Sequence, residues 1–354
     1  MLSVGESVPV IAAAVRRGAR VGLLGRPGIG KTDAMHEVAR LTGRKLIVTI
    51  AGIQSPTDAA GIYWPQPGEA FCRAMPLEQL HSVLTATEPV LWLLDDFGQA
   101  PAATQAMYMQ WFLGGRLNEH VLPDCVSMAF ASNGREHRAG VSGILAPVLG
   151  RVTLLDLGTD VQSWVQWALG ADIHPHVIAF LRHRPNLLPD DTLPDSDTAT
   201  PVGMVNGPSP RNWVRVSEWL NDAAFATFGP RVQADVVSGD VGKGAAGEFL
   251  AFRTMLSSVV SADQVLLDPS GAPIPDNLSA LSALAACLAH RVNDSTFGRL
   301  RIYCERLLAA GRGPHAALAV RDSVRRKPQL VHSTEYTRMV SGEFGRLVMG
   351  EVAD

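Results

Sequence analysis

Val21-Gly-Leu-Leu-Gly25-Arg-Pro-Gly-Ile-Gly30-Lys31-Thr32 is the stretch on which the fold turns. It runs from a short apolar strand through a glycine-rich turn into a helical pattern from about Thr32 to Leu41. The eight residues from Gly25 fit G-x-x-x-x-G-K-[ST], in the strand–turn–helix setting that this spacing requires. The glycines let backbone N–H groups turn inward around phosphate oxygens, at the positive end of a helix dipole. Lys31 adds a compact charge for the outer phosphates, and the Thr32 hydroxyl suits the oxygen shell of Mg²⁺. Gly25, Pro27, Gly28, Ile29, Gly30, Lys31, Thr32 and Asp33 are therefore expected to line a site for ATP with Mg²⁺.

Around this loop the first 157 residues alternate between apolar runs and helical patterns. Lys45–Ile50, Val90–Leu94, Val126–Ala131 and Val152–Leu157 read as four further strands. Runs apolar throughout imply a parallel sheet covered on both faces, and such sheets bind ligands at the carboxyl ends of their strands. Asp95-Asp96 closes the Val90–Leu94 run at such an end. Two adjacent carboxylates there suit metal chemistry: Asp95 to order the Mg²⁺ shell together with Thr32, and Asp96 to polarise an attacking water.

From about Asp160 the strand signals stop. Helical patterns cover Val161–Leu169, Pro175–Arg182 and Pro210–Thr227, and a stretch from Pro185 to Pro210 with six prolines reads as an exposed, partly mobile loop in a helical lid. His174-Pro-His176, with no cysteine or acidic cluster beside it, reads as a helix start and not a zinc site. A glycine-punctuated segment, Gly229–Gly247, separates the lid from further helices over Glu248–Ser261, Leu278–Val292, Phe297–Ala310 and on to the end.

These residues resemble the MoxR-type AAA+ ATPases of the helix-2-insert group over roughly residues 5–225. The matching parts are GRPGIGKT, Ser55-Pro-Thr-Asp58-Ala-Ala-Gly61, LWLLDDFGQAP, the helix and hairpin of Ala103–Pro123, MAFASN, LAPVLGRV and Ser209-Pro210-Arg211. The DDFGQAP variant also resembles a prophage- or plasmid-borne branch. The resemblance implies an AAA+ P-loop α/β core, parallel sheet flanked by helices, over 1–158. An α-helical lid over 159–228 follows; beyond the resemblance, 229–354 reads from its residue patterns as a C-terminal helical region with no family motif. It implies that Asn133 is sensor 1, positioning the attacking water, that Arg211 is sensor 2, and that Arg151 is the arginine finger reaching a neighbour's γ-phosphate. Arg135 and Arg138 compete for the finger role. Most relatives of this type carry Glu where this chain has Asp96, one methylene shorter, which bears on hydrolysis more than on binding. A finger acting in trans implies a homo-oligomeric ring, of six subunits in the family, that remodels a partner protein in a chaperone-like way. The partner implied carries a von Willebrand factor A-like domain. A nucleotide-gated assembly module with little turnover, or a DNA-engaging AAA+ motor, are the alternatives. Tyr63 and Trp64, with the insert Gly115–His120, are candidates for a pore lining, though core packing of a hairpin explains the two aromatics more simply.

Composition bounds these readings. Apolar residues at 47% and charged ones at 18% fit a globular chain with a proper core. A net charge of −3 gives no electrostatic footprint for nucleic acid. No run of eighteen apolar residues suggests a membrane span, and Arg16 and Arg17 follow the N-terminal apolar run, the wrong order for a signal peptide. The four cysteines are scattered, as reduced thiols in the cytoplasm would be.

Overall fold

Leu91 and Leu93 point to one side of their strand and Trp92 and Leu94 to the other, and all four are buried. In the computed structural model, which describes residues 1–134, 143–188, 206–341 and 343–349, this strand lies inside a six-stranded sheet. Contacts divide the chain into two units, 1–159 and 160–354.

The first unit opens with β1 (Leu2–Ser3) and α1 (Val4–Arg16), then β2 (Val21–Leu24), α2 (Lys31–Thr42), β3 (Lys45–Ile50) and α3 (Pro56–Ala60). A hairpin, β4 (Ile62–Pro65) and β5 (Cys72–Met75), leads to α4 (Glu78–Leu84), β6 (Val90–Asp95) and α5 (Ala102–Gly114). A second small hairpin, β7 (Arg116–Leu117) and β8 (His120–Val121), precedes β9 (Val126–Ser132), α6 (Ala146–Leu149) and β10 (Thr153–Gly158). The sheet order is β1-β10-β2-β9-β6-β3, parallel at every pairing. One face packs small and aliphatic residues of α1 and α2 over Leu91, Leu93, Ala129 and Ala131. The other packs aromatics of α5, Tyr108, Trp111 and Phe112, on Trp92, Met128 and Phe130. The five strands read from the sequence all form, with ends shifted by a residue at most. β1 and α1 form as well, from the apolar run before Arg16, and a local signal marks the start of the helix. Ser3 Oγ accepts from the Glu6 amide at 3.2 Å and the Ser3 amide donates to Glu6 Oε2 at 2.9 Å, a capping box.

The second unit is helical: α7 (Val161–Gly170), α8 (Pro175–His183), α9 (Pro210–Asn221), α10 (Pro230–Val241), α11 (Lys243–Ser257), α12 (Ala262–Leu267), α13 (Leu278–Arg291), α14 (Phe297–Ala309), α15 (Gly313–Arg326), α16 (Thr334–Val340) and α17 (Glu343–Met349). Three expectations need correcting here. The segment Gly229–Gly247 is helix for most of its length, because its glycines at 239, 244 and 247 face open space and only Gly242, at φ 80°, breaks the chain direction. The helix from Pro210 stops at Asn221, where the Asp222 carboxylate accepts from the Ala224 amide at 2.8 Å and starts a turn. Ser261 does not end a helix but caps the next, accepting from the Gln264 amide at 3.2 Å. His174 caps α8, the helix start read from the sequence. The six-proline stretch lies mostly outside the described residues.

One core cluster of this unit joins Trp164, Phe180, Trp213, Phe249 and Phe252, drawing on helices before and after residue 228. A second cluster spans α12 to α17. Asp322 of α15, almost wholly buried, receives two hydrogen bonds from the Arg182 guanidinium of α8, at 2.5 and 2.9 Å. Removing one partner of a buried bidentate pair leaves a desolvated charge, so Asp322→Ala is expected to destabilise this unit by about 3–5 kcal/mol. Urea unfolding followed by circular dichroism measures this. An unchanged midpoint removes the pair from the account of stability.

Candidate nucleotide site

The loop between β2 and α2 is held by both its backbone and its apolar residue. Ile29 is buried in the cluster beneath α1 and α2, which pins the loop to the core. Gly25 has no room for a side chain: a Cβ there would lie 2.6 Å from both the Leu157 carbonyl oxygen and Ile29 Cδ1. Gly30, at φ 101°, turns the chain into α2 in the left-handed region that favours glycine. Pro27 and Asp33 are exposed, and Gly28 takes φ 79°.

Lys31 is buried, and its Nζ donates to Gly25 O at 2.8 Å, Arg26 O at 2.8 Å and Asn133 Oδ1 at 2.9 Å. The Thr32 hydroxyl donates to Asp95 Oδ2 at 2.7 Å. Lys31 and Thr32 from the start of α2, Asp95 from the end of β6 and Asn133 from just past β9 thus converge, the lysine and the asparagine being 102 positions apart in the chain. This is the carboxyl edge of the parallel sheet, where the sequence pattern placed its polar motifs. A hydroxyl and a carboxylate side by side are the hard oxygen donors Mg²⁺ prefers, and a lysine ammonium beside a glycine turn at a helix start suits phosphate, so the residues fit both groups.

Asp96 departs from the simple strand-end picture. It sits at φ 53°, ψ 34°, in the left-handed region, and its amide donates to Asp95 Oδ1 at 3.0 Å. The chain then makes a short 3₁₀ turn, Phe97–Gln99. Ser132, which the sequence reading passed over, ties this turn to β9. Its Oγ accepts from the Gly98 amide at 3.2 Å and donates to Asn133 O at 3.1 Å, which fixes where Asn133 leaves its strand. The available signal was a hydroxyl residue at the end of an otherwise apolar run.

Arg151 is exposed and precedes β10, whose Thr153 pairs with Val21 at the start of β2, while Gly25 follows the end of β2. Arg151 and the Gly25–Thr32 loop are therefore at opposite ends of the sheet, roughly 15–20 Å apart along the strands, beyond the reach of one side chain. Arg135 and Arg138 lie outside the described residues. Arg211 belongs to the second unit, exposed in the first turn of α9, after Ser209, whose hydroxyl caps that helix by accepting from the Asn212 amide at 3.2 Å.

Tyr63 and Trp64 do not pack into the core. They are 62% and 64% exposed, and Ile62, Phe71 and Met75 of the same hairpin are exposed as well. A two-stranded ribbon has too little sheet to bury an apolar face, so these side chains stay in water. The hairpin is fastened at its base to the β7–β8 insert, where Ala74 N donates to Glu119 Oε1 at 3.1 Å and a ring nitrogen of His120 meets Ala74 O at 2.7 Å.

The left-handed backbone makes a prediction about Asp96. Asp and Asn tolerate this conformation, whereas a longer side chain loses about 1 kcal/mol there. Asp96→Asn should unfold at the wild-type denaturant midpoint and Asp96→Glu earlier. Equal midpoints for all three proteins mean that the backbone at 96 does not select the residue.

No family model matches this chain, and no curated protein matches it. Solved structures do. One is a putative ATPase from Cytophaga hutchinsonii, at 14% identity over 47% of this chain, with a TM-score of 0.35. That match spans only about half of the Cytophaga protein, 49% of its length. Another is a point mutant of RuvB from Thermotoga maritima, at 16% identity over 87% of this chain and 91% of that one, with a TM-score of 0.41. A third is the same organism's RuvB Holliday junction branch migration motor, at 17% identity over 87% of each chain, with a TM-score of 0.38. Likenesses this distant carry no argument about what the chain binds or does. Its fold class is seen in its own elements: an α/β core with a six-stranded parallel sheet, helices on both faces, a glycine-rich turn after β2, and a helical region after it.

Proposed function

We propose that this chain is an AAA+ ATPase that binds ATP with Mg²⁺, hydrolyses it in a homo-oligomeric ring, and uses the cycle to remodel a partner protein. The observation that carries this reading is the hydrogen-bonded set Lys31–Asn133 and Thr32–Asp95 at the carboxyl edge of the sheet. Preorganised donors aimed at a phosphate chain are the larger part of phosphoryl-transfer catalysis. Lys31 and the loop amides bind the phosphates. Thr32 and Asp95 hold Mg²⁺, which when bound offsets charge on the outer phosphates. Asp96 accepts the proton of a water that attacks the γ-phosphorus as the bond to the β-phosphate oxygen breaks, and Asn133 orients that water.

The ring rests on Arg151. A finger that cannot reach the phosphates of its own chain is useful only across a head-to-tail interface, and such contacts close into rings. Six subunits, a sensor-2 role for Arg211 and a partner with a von Willebrand factor A-like domain come from the family resemblance. The exposed apolar hairpin around Tyr63 and Trp64 supports contact with a protein, since such a patch is costly to leave in water. A net charge of −3 gives no support to a nucleic-acid substrate. A second reading, a nucleotide-gated module with little turnover, is favoured by Asp96 alone, with its short side chain on a left-handed residue. Steady-state ATPase rates with and without a partner separate the two.

Lys31→Ala should lose nucleotide binding, read by fluorescent-nucleotide affinity. Retention within about threefold counts against the phosphate loop, which has lost the ammonium that would meet the outer phosphates. Arg151→Ala should bind ATP normally and hydrolyse it about 10³-fold more slowly. Mixing it with Lys31→Ala should restore activity at hybrid interfaces. Hydrolysis by an isolated monomer as fast as by the assembly rules out a finger in trans.

A further inference from the structure

The helical unit contains a cavity of about 670 Å³ between the start of α8, α10, α11, α12 and α13. That is the size of a small-molecule site, which is typically apolar with a few convergent polar groups. Most of its wall is apolar, with Leu250, Leu256, Val259 and Leu284 among the lining.

Most polar groups at the wall are already engaged. Gln233 donates to the carbonyls of Phe225 and Phe228, and the hydroxyls of Thr254 and Ser257 bond back to their own helix. Asp263, the acid of the lining, pairs with Arg291 at 3.4 Å near the rim. Arg253 is different. Among the described residues no hydrogen bond or ion pair engages it, and its Nε is buried with no partner. Two arginines against one aspartate leave the cavity one net positive charge. Beside Arg253 stand His174 and His176, with ring centroids 4.7 Å apart. His174 Nδ1 accepts from the His176 amide at 3.2 Å, so its proton sits on Nε2. His176 Nδ1 is buried without a partner. Burial, with His176 and Arg253 adding to it, pushes His174 down to about 3, and burial with Arg253 pushes His176 down to about 4. His290, on the same wall, is lowered by burial too. At neutral pH these rings are uncharged and each has one N–H to offer.

A half-buried guanidinium without a counter-charge, next to neutral N–H donors and an apolar wall, is complementary to an anion with an apolar body. We propose that this cavity binds a small organic oxyanion, a carboxylate or a phosphate monoester, with Arg253 as the ion-pairing residue and His176 as a neutral hydrogen-bond partner. A metal ion does not suit it: the charge is of the wrong sign, and no group of three or more His, Cys, Asp or Glu residues among the described residues could hold one. The site is built wholly from the second unit and is separate from the phosphate loop. Its occupant would bridge α8, α11 and α13.

Calorimetry on the full chain with benzoate and phenylphosphonate tests this, with benzamidine as a cation of similar shape. The Lys31→Ala protein serves as the base, so that the phosphate loop does not report. At least one anion should bind Lys31→Ala and wild type alike, and benzamidine should not. Adding Arg253→Gln should weaken binding about 10–100-fold, the worth of a charge-assisted hydrogen bond. Thr254→Trp, at an exposed position on the cavity mouth, should block binding even if Arg253→Gln fails to fold. The proposal is overturned if neither anion binds Lys31→Ala at about 10 mM, a generous limit for fragments of this size. It is equally overturned if binding survives Thr254→Trp within threefold, or if benzamidine binds as well as the anions.

Discussion

The ammonium of Lys31 sits inside the protein, and much of the first unit is arranged around keeping it there. Burying a charge is expensive unless it is fully hydrogen-bonded. Here the three donors of the group meet two carbonyls of its own loop and the Asn133 side chain. For those acceptors to be in place, β2 and β9 must be adjacent and parallel, the loop must turn at Gly25 and Gly30, and Ile29 must be seated in the core. The lysine thus couples a local motif to the order of strands in the sheet.

The same edge is braced from the β6 side. Asp95 takes the Thr32 hydroxyl on one oxygen and the Asp96 amide on the other, so its orientation is set before any ligand arrives. Ser132 connects the turn after β6 to the end of β9, so Asp95, Asp96 and Asn133 are positioned through shared hydrogen bonds. Packing behind this edge is aromatic. Trp92 donates its Nε1–H to the Thr49 hydroxyl at 2.9 Å and meets Tyr108 and Trp111 edge to face. Such contacts restrict the strands to one register, which is what a site with tolerances of a few tenths of an ångström needs.

The helical unit solves a different problem. Its helices are individually ordinary, and it is held by two apolar clusters and by the Arg182–Asp322 pair that ties α8 to α15. The buried Nε of Arg253 lacks a partner, as do those of Arg184, Arg321 and Arg326, so what sets Arg253 apart is its place on a cavity wall without a counter-charge. Departures of this kind concentrate where a protein does something besides fold.

What the sequence determined by itself follows from local physics. The strand–turn–helix with GRPGIGKT, the five apolar strands and the carboxylates at a strand end were legible because apolar runs and glycine turns act within a few residues. Ser3 and Glu6 announced a helix in the same way and could have been read. The tertiary structure alone decided the rest. A glycine count cannot tell a linker from the exposed face of a helix, which is why Gly229–Gly247 looked interrupted and is largely α10 and α11. The left-handed turn at Asp96 depends on where β9 and the turn after β6 meet, and the exposure of Tyr63 and Trp64 depends on a ribbon too small to cover them. The meeting of Lys31 with Asn133, and the cavity around Arg253, join residues far apart in the chain. Periodicity has no range over such distances; only the packing of whole elements brings these groups together.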